Sequence, residues 1–186
     1  MKRLLVVIAA ALLAFWTMAS ANQFERQGTT LILNGEITQE TLEDFIEITD
    51  ENPDITLLIE EDVPGSGDDE AMIELAYMVR DMGLNTHLRS TSDINSGGVD
   101  LFLAGVERTM EKGAHIGVHS WSDGANDATH FPKDSPEHDM NRTYIEKMLG
   151  SDAFYWFTIH AAPASDIHSM TEQEIAKYGL LTQPIQ

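Results

Sequence analysis

The chain has 186 residues, of which 42% are hydrophobic and 23% are charged, and these proportions favour a globular protein over a disordered, collagenous or multi-spanning membrane protein. It contains no cysteine, which excludes a disulfide framework and a zinc–thiolate site. Its 31 acidic and 11 basic residues give a formal net charge of −20, so nucleic acid and anionic membrane surfaces would repel it. We expect neither to be a partner.

The N-terminal segment has the pattern of an export signal. Lys2 and Arg3 precede the uninterrupted apolar run at residues 4–16, and residues 19–21 supply small side chains for a signal peptidase. The run is shorter than the ~20 residues that a membrane-spanning helix needs, and no cysteine follows it to carry a lipid. The pattern predicts a signal peptide over residues 1–21, a single mature domain over residues 22–186 with no membrane anchor, and a periplasmic or secreted location.

Apolar runs and helical periods alternate along the first half of this domain. The run at residues 55–59 is nearly all apolar, which predicts a strand covered on both faces and therefore an α/β sheet. A polar loop holding Pro64-Gly65-Ser66-Gly67 follows it. The elements predicted here are a strand at residues 29–33, a helix capped by Thr38, the strand at 55–59, a helix that ends at Gly83 and a strand at 84–88.

The second half continues the alternation around a long polar segment. Ser96-Gly97-Gly98 opens a third helix, whose apolar face includes Val99 and Val106. Residues 120–136 have no apolar period and are long enough for a lid or a binding loop. The other elements predicted here are a strand at 115–119, a helix from Glu137 toward Leu149, a helix from Thr171 to Gly179 and a terminal strand from Leu180. This alternation favours stacked ββα or βαβ units packed on parallel sheet.

Ser96 is the first candidate for chemistry. It precedes an apolar helix whose first backbone N–H groups have no intrahelical partner, and two glycines after it let a substrate approach that backbone. The ordinary role of such a serine is a helix N-cap. A catalytic role needs a general base, for which His119 at a strand end is suited. It also needs oxyanion donors, and the turn at Gly65 and Ser66 can aim an N–H group beside that of Gly97.

These segments, taken in order, resemble the ClpP/crotonase superfamily, in particular the Clp protease proteolytic subunits and exported ClpP-like proteins. The motifs that carry the resemblance are residues 31–37, residues 55–59 with Pro64-Gly65-Ser66, residues 94–98 through Leu103-Ala104-Gly105, Ile116-Gly117-Val118-His119, and Met170-Thr171 through Glu174 to Tyr178-Gly179-Leu180. Together they span nearly all of the predicted mature chain. The resemblance implies an α/β fold built as a spiral of repeated ββα units.

The resemblance also implies roles for the site residues. Ser96 would be the nucleophile and His119 the general base. The N–H groups of Ser66 or Gly65, together with that of Gly97, would form the oxyanion hole. A hydrolase of this kind would use no metal and no cofactor, and the histidines and aspartates near the long loop fit no zinc or EF-hand spacing.

The third member of the triad is less well defined by the motifs. Asp166 is the acid nearest to the position that the peptidases use, and Asp152 is an alternative because the segment is shorter here. Two further residues depart from the family pattern. Ser66 replaces the second glycine of a usual Pro-Gly-Gly, and Asn95 stands before the nucleophile where a small residue is usual. Loss of one oxyanion donor through such changes lowers a rate by about 10²–10³.

From these features we expect an exported, ATP-independent serine hydrolase, and specifically a peptidase, that acts on a peptide or protein substrate and forms a homo-oligomer. Two alternatives stay open. The first is a binding or assembly module that keeps the fold without turnover. The second is acyl-thioester chemistry of the crotonase type, against which the acidic composition argues because the phosphates of coenzyme A prefer lysine and arginine.

Overall fold

The computed structural model describes residues 23–186, where nine strands and six α-helices form two sheets with helices packed around them. The predicted signal peptide, residues 1–21, lies outside the described residues. The strands are β1 (Phe24–Gln27), β2 (Thr30–Leu33), β3 (Leu57–Glu60), β4 (Asp62–Val63), β5 (Asn85–Leu88), β6 (Asp93–Asn95), β7 (Arg108–Met110), β8 (His115–Val118) and β9 (His168–Ser169). The helices are α1 (Gln39–Glu51), α2 (Asp69–Asp81), α3 (Gly97–Phe102), α4 (Asp139–Leu149), α5 (Ala153–Ala161) and α6 (Glu172–Tyr178).

The larger sheet has five strands in the order β1-β2-β3-β5-β7. Strands β2, β3, β5 and β7 run parallel, whereas the edge strand β1 pairs antiparallel with β2. The smaller sheet has the order β4-β6-β8-β9, and its edge strand β9 is antiparallel to β8. Leu58 and Ile59 of β3 are both buried although they point to opposite faces, which confirms the predicted strand covered on both faces.

A strand–strand–helix unit repeats along the chain. Strand β3 lies in the larger sheet, β4 lies in the smaller one, and α2 follows; β5, β6 and α3 repeat this order. Strands β7 and β8 begin a third unit, after which the long loop and α4 take the place of the short helix. The fold is therefore the predicted α/β spiral of ββα units. Strands β4 and β6 escaped the sequence analysis because their two and three residues are too few to show a period.

Helix α1 begins at the position predicted from Thr38, and the caps of α1 and α2 are both encoded locally. Thr38 caps α1 and forms a reciprocal capping box with Thr41, while the Asp68 side chain accepts a hydrogen bond from the N–H of Ala71 at the start of α2. Each helix buries one apolar face, with Phe45 and Leu75 completely inaccessible to solvent. The two helices thereby cover the larger sheet and fix the position of the turn that precedes α2.

Two predicted elements differ from the observed structure. Helix α3 ends at Phe102, and Val106 is 46% exposed in the following turn instead of continuing the apolar face. Residues 180–186 form no strand. The buried Arg108 donates hydrogen bonds to the carbonyls of Leu180 at 2.6 Å and Gly179 at 3.2 Å. The N–H groups of Thr182 and Gln186 donate to carbonyls of β7 at 3.0 Å, so side-chain and backbone bonds together hold this segment beside β7.

The segment between β8 and α6 covers one side of the smaller sheet. The predicted polar loop contains two short 3-10 turns, and α4 and α5 are joined at Gly150, which adopts a left-handed conformation with φ of 78°. In α5, Phe154 and Tyr155 are buried in the core. Within residues 23–186, no helix combines the length and the apolar character that a membrane crossing requires.

Candidate active site

Ser96 lies between β6 and α3 in a backbone conformation that side chains rarely adopt. Its φ is 51° and its ψ is −124°, and it is the one non-glycine residue with a positive φ in the described part of the chain. Such a conformation costs about 1–3 kcal/mol and persists only where the surroundings impose it. Here the N–H of Ser96 donates to the carbonyl of Gly117 at 3.0 Å, and the Ser96 carbonyl accepts from Val99 at 2.8 Å.

The Ser96 side chain does not cap its own helix. No cap hydrogen bond forms at the start of α3, and within residues 23–186 the hydroxyl has no hydrogen-bond partner. This differs from Thr38 and Asp68, whose side chains do cap α1 and α2. The ordinary structural role of a serine before a helix is therefore absent, and the hydroxyl is available for another role.

The glycines after Ser96 permit a close approach of two backbone segments. A Cβ atom on Gly98 would lie 2.8 Å from a methyl carbon of Val63, and one on Gly97 would lie 2.7 Å from the Cβ of Ser66. Any larger residue would therefore push α3 away from the end of β4. The glycine pair, which the sequence suggested as a substrate approach, also serves to pack the start of α3 against the Gly65–Ser66 turn.

The predicted oxyanion residues converge beside Ser96. A Cβ on Gly65, whose φ is 143°, would lie 3.1 Å from the Cβ of Ser96, and a Cβ on Gly97 would lie 3.0 Å from the backbone nitrogen of Ser66. Ile37 fixes this turn, since it donates to the Gly65 carbonyl at 2.9 Å and accepts from Gly67 at 2.8 Å. Both bonds lie on the side of the turn that faces Ile37, so the Ser66 N–H points to the other side. Among the described residues, neither the Ser66 nor the Gly97 N–H has a hydrogen-bond partner.

His119 follows directly after β8, which pairs in parallel with β6 so that Gly117 lies opposite Asn95. This register places His119 and Ser96 at the same end of two neighbouring strands. The Nδ1 of His119 lies 2.7 Å from the carbonyl oxygen of Ser120. A carbonyl can only accept, so Nδ1 carries the hydrogen, and the neutral ring leaves Nε2 as an acceptor. Within the described chain Nε2 has no hydrogen-bond partner.

Ser96 and His119 line the same narrow cavity, whose volume is about 40 Å³. Other residues in its wall are Asp69, Asp100, Asn141 and Tyr155. The structure thus brings the predicted nucleophile and base together at one site. In the described residues no hydrogen bond joins the Ser96 hydroxyl to the His119 ring, and such bonds are often longer in a free site than in a substrate complex.

The structure does not bring Asp166 to His119. Asp166 is exposed, its carboxylate accepts a hydrogen bond from the N–H of Ile167 at 2.8 Å, and the Ser120 carbonyl occupies the position at Nδ1 that an acid would need. The alternative, Asp152, accepts instead from the indole N–H of Trp156 at 2.9 Å. The expectation that an aspartate orients His119 is wrong for this structure, because the carboxylates of Asp166 and Asp152 bond other groups and the Ser120 carbonyl is the partner of Nδ1.

Two carboxyl groups in the cavity wall were not identified from the sequence. Asp69 begins α2 and accepts a hydrogen bond from the Ser66 hydroxyl, while Asp100 lies one turn after Ser96 on α3. Burial, and secondarily the negative charge of Asp69, raises the pKa of Asp100 to about 7. The helical spacing from Ser96 to Asp100 could have indicated this residue, but Asp69 comes close only through tertiary packing.

A second serine–histidine–aspartate arrangement lies on the exposed edge of the smaller sheet. The His115 ring is 2.8 Å from Asp93 through Nδ1 and 2.7 Å from the hydroxyl of Ser169 through Nε2. No local motif in the sequence indicates this arrangement, because the three residues lie on strands β6, β8 and β9, which are far apart in the chain. It lies outside the cavities described for residues 23–186, and Ser169 has an exposed side chain. The hydrogen bonds of a triad are present there, at an exposed position outside those cavities.

No protein-family model matches the chain, and no curated protein sequence matches it. Several solved structures, however, are similar to it in fold. One is a membrane-bound stomatin-specific protease, 1510-N, studied as a variant in complex with a substrate peptide; it is 19% identical, with a TM-score of 0.53 over 81% of this chain and 71% of that one. Another variant of this protease is 18% identical, with a TM-score of 0.53 over 81% of this chain and 75% of that one. A ClpP1 variant from Listeria monocytogenes is 17% identical, with a TM-score of 0.58 over 82% of this chain and 88% of that one. With the ββα spiral described above, these likenesses establish that the chain has a ClpP/crotonase-like fold.

Proposed function

We propose that the chain is an exported serine hydrolase that cleaves peptides without ATP, with Ser96 as nucleophile and His119 as general base. The observation that carries this proposal is the shared cavity, where an uncapped serine in a strained conformation lies near an imidazole with a free Nε2. Two of the solved structures named above, a protease with a substrate peptide and a ClpP1, support a peptide as substrate through the fold that they share with this chain.

The reaction would proceed through an acyl-enzyme. Ser96 Oγ would attack the peptide carbonyl while Nε2 of His119 takes the hydroxyl proton, and the N–H groups of Ser66 and Gly97 would stabilise the oxyanion. Collapse of the tetrahedral intermediate would expel the amine, which receives the proton from His119. Water would then attack the acyl carbon and give a proton to His119. Cleavage of the bond between the acyl carbon and Ser96 Oγ would release the acid, and His119 would return the proton to Oγ.

The Ser120 carbonyl would take the orienting role in place of an aspartate. It holds the Nδ1–H of His119 at 2.7 Å and so fixes the tautomer that leaves Nε2 basic. A carbonyl dipole stabilises the imidazolium less than a carboxylate does, because it carries only a partial charge. We therefore expect a slow hydrolase.

Export and self-association are parts of the same proposal. The apolar run at residues 4–16 and the small residues at 19–21 support cleavage near residue 21 and a periplasmic or secreted location. A protein in that location would meet little ATP, so an ATP-driven partner is not expected. A homo-oligomer is proposed from the resemblance alone, and size-exclusion chromatography with light scattering of the mature chain would measure it.

The test of the proposed function is covalent labelling with a fluorophosphonate, which reacts with an activated serine. We expect labelling of the mature chain, located to Ser96 by peptide mass spectrometry and lost in Ser96→Ala and in His119→Ala. The matched control is Ser169→Ala, which removes an exposed serine outside the cavity. Labelling that persists in Ser96→Ala would contradict the proposed nucleophile.

One observation favours the second candidate, a non-catalytic binding module on the same fold. The Asp166 carboxylate that the peptidases' pattern implies does not reach His119, whose Nδ1 is bonded to the Ser120 carbonyl instead. For this candidate, the wild-type chain would not react with the fluorophosphonate, yet it would bind a peptide ligand. Peptide hydrolysis that is abolished by Ser96→Ala would reject it.

A further inference from the structure

We propose that the cavity beside Ser96 binds the ammonium group of a lysine-type side chain, so that the enzyme prefers a basic residue on the acyl side of the cleaved bond. This inference rests on the proposed function. It adds the class of substrate side chain, which the roles of Ser96 and His119 leave undefined. Its basis is a mismatch between hydrogen-bond donors and acceptors in the cavity wall.

The wall presents acceptors that lack donors. In the described chain, neither carboxylate oxygen of Asp100 receives a hydrogen bond, and the Oδ1 atom of Asn141 is buried without a partner. Asp69 receives one hydrogen bond, from the Ser66 hydroxyl. A buried acceptor without a donor, such as Oδ1 of Asn141, is costly, and a ligand that supplies donors would satisfy it together with the Asp100 carboxylate.

The side-chain donors of Trp121, Tyr155 and Thr158 in the wall are already engaged, whereas in the described chain the Ser96 hydroxyl and the Gly97 N–H stay free for the reacting acyl group. The Trp121 indole N–H donates to the Tyr155 hydroxyl at 2.9 Å, and that hydroxyl also lies 2.6 Å from Nδ1 of His138. The Thr158 hydroxyl donates to the Tyr155 carbonyl at 2.8 Å. No lysine or arginine of residues 23–186 lines this cavity. An ammonium group, with three donors and no acceptor, is complementary to such a wall.

The electrostatic environment favours the same ligand. Asp69 and Asp100 line one cavity, and the repulsion between them adds to the effect of burial in raising the pKa of Asp100 to about 7. A cation bound between the two carboxyl groups would relieve this repulsion and favour the ionised form of Asp100. An anionic or purely apolar side chain would leave both groups uncompensated.

The size of the cavity restricts the ligand further. A volume of about 40 Å³ suits a compact head group. Asp100 lies four residues after Ser96, and its N–H donates to the Ser96 carbonyl at 3.3 Å, so the carboxyl group is about one helical turn from the nucleophile. A slender alkyl chain can span that distance while its carbonyl lies at Ser96.

The experiment compares matched fluorogenic peptides whose acyl-side residue is lysine, norleucine or phenylalanine. Norleucine keeps the alkyl chain of lysine and removes the charge. We expect kcat/KM to be about tenfold or more higher for lysine than for norleucine, and the ratio to fall about tenfold in Asp100→Asn. Asp81→Asn, which makes the same change at an exposed position on α2, serves as the matched control and should keep the wild-type ratio.

A second measurement needs only the wild-type chain. n-Butylammonium chloride should slow the fluorophosphonate labelling of Ser96, whereas n-butanol at the same concentration should not. Suppose that the enzyme is labelled and active, shows no preference for lysine and is not protected by n-butylammonium. That result would overturn this inference and leave the proposed hydrolase intact. Absence of both labelling and cleavage would instead overturn the proposed function, and this inference with it.

Discussion

Gly97 and Ser66 pack so closely that a Cβ atom on Gly97 would lie 2.7 Å from the Cβ of Ser66 and 3.0 Å from its backbone nitrogen. The contact joins the start of α3 to the turn before α2. This contact brings together the N–H groups of Ser66 and Gly97, neither of which has a hydrogen-bond partner in the described chain. The same contact makes the proposed oxyanion hole sensitive to a single methyl group.

Gly97→Ala should lower the rate of fluorophosphonate labelling by about 10²–10³ because the new Cβ would displace the Ser66 N–H. It should also lower the free energy of unfolding by about 1–3 kcal/mol, since the contact is with backbone that cannot move freely. Labelling kinetics and urea denaturation measure the two effects. Gly124→Ala, where a Cβ would meet no atom within 4 Å, is the control for backbone strain alone. Equal labelling rates in both variants would contradict the proposed donors.

Ser96→Gly should abolish labelling and yet stabilise the fold. Glycine adopts a φ of 51° without strain, so the replacement stabilises the folded state by about 1–3 kcal/mol. The greater conformational entropy of glycine in the unfolded chain opposes this effect by a somewhat smaller free energy. We expect a net gain of about 1 kcal/mol in the free energy of unfolding. Ser135→Gly, at a φ of −68°, gains nothing from the same replacement and should be slightly destabilised. A loss of stability in Ser96→Gly would show that the conformation is not strained.

Glu60→Met should increase stability at neutral pH. Glu60 is fully buried, neither of its carboxylate oxygens has a partner in the described chain, and burial raises its pKa well above the ordinary value. The folded state therefore keeps a proton that the unfolded state has already lost, so stability decreases as pH rises above the unfolded pKa. The variant does not lose stability in this way, so its free energy of unfolding at pH 8 should exceed that of the wild type by about 1–3 kcal/mol.

The gain in Glu60→Met should shrink as the pH is lowered toward about 4, where glutamate in the unfolded chain also becomes protonated. Denaturation by urea at several pH values measures this difference. Glu70→Gln, an exposed neighbour in sequence of the cavity residue Asp69, is the control and should show no such trend. A gain that is independent of pH would mean that Glu60 does not titrate with the displaced pKa.

His115→Gln should leave fluorophosphonate labelling unchanged, although His115 is hydrogen-bonded to both Asp93 and Ser169. The cluster is exposed and lies outside the cavities described for residues 23–186, so we expect it to lack the positioning that catalysis needs. Stability should change by less than about 0.5 kcal/mol because the replaced contacts are at the surface. Labelled peptides that contain Ser169 would reverse this assignment and identify a second reactive serine.

Asp166→Asn should keep the labelling rate within about twofold of the wild type, because the Asp166 carboxylate bonds the Ile167 N–H and does not touch His119. In a triad that depends on its aspartate, the same replacement costs about 10⁴. The labelling rate of purified variants distinguishes the two values. A loss of that size would indicate that the segment carrying Asp166 moves to the cavity when a ligand binds.

The local elements of the fold were predictable from the sequence because each is encoded within a few residues. Thr38 and Thr171 form capping boxes that start α1 and α6, and Gly150 and Gly179 adopt the left-handed conformation that ends α4 and α6. Ser96 at the start of a helix and His119 at the end of a strand were identified in the same way. Their spatial neighbourhood was an expectation from the resemblance, and the parallel register of β6 and β8 accounts for it.

Only the tertiary structure decided what surrounds these two residues. It placed Asp166 outside the site, gave the Nδ1 position of His119 to the Ser120 carbonyl, and brought Asp69 beside Asp100. The physical reason is that such contacts join segments far apart in the chain, through strands of two or three residues that carry no readable period. A sequence determines which groups are present at strand and helix ends, whereas packing determines which of them meet.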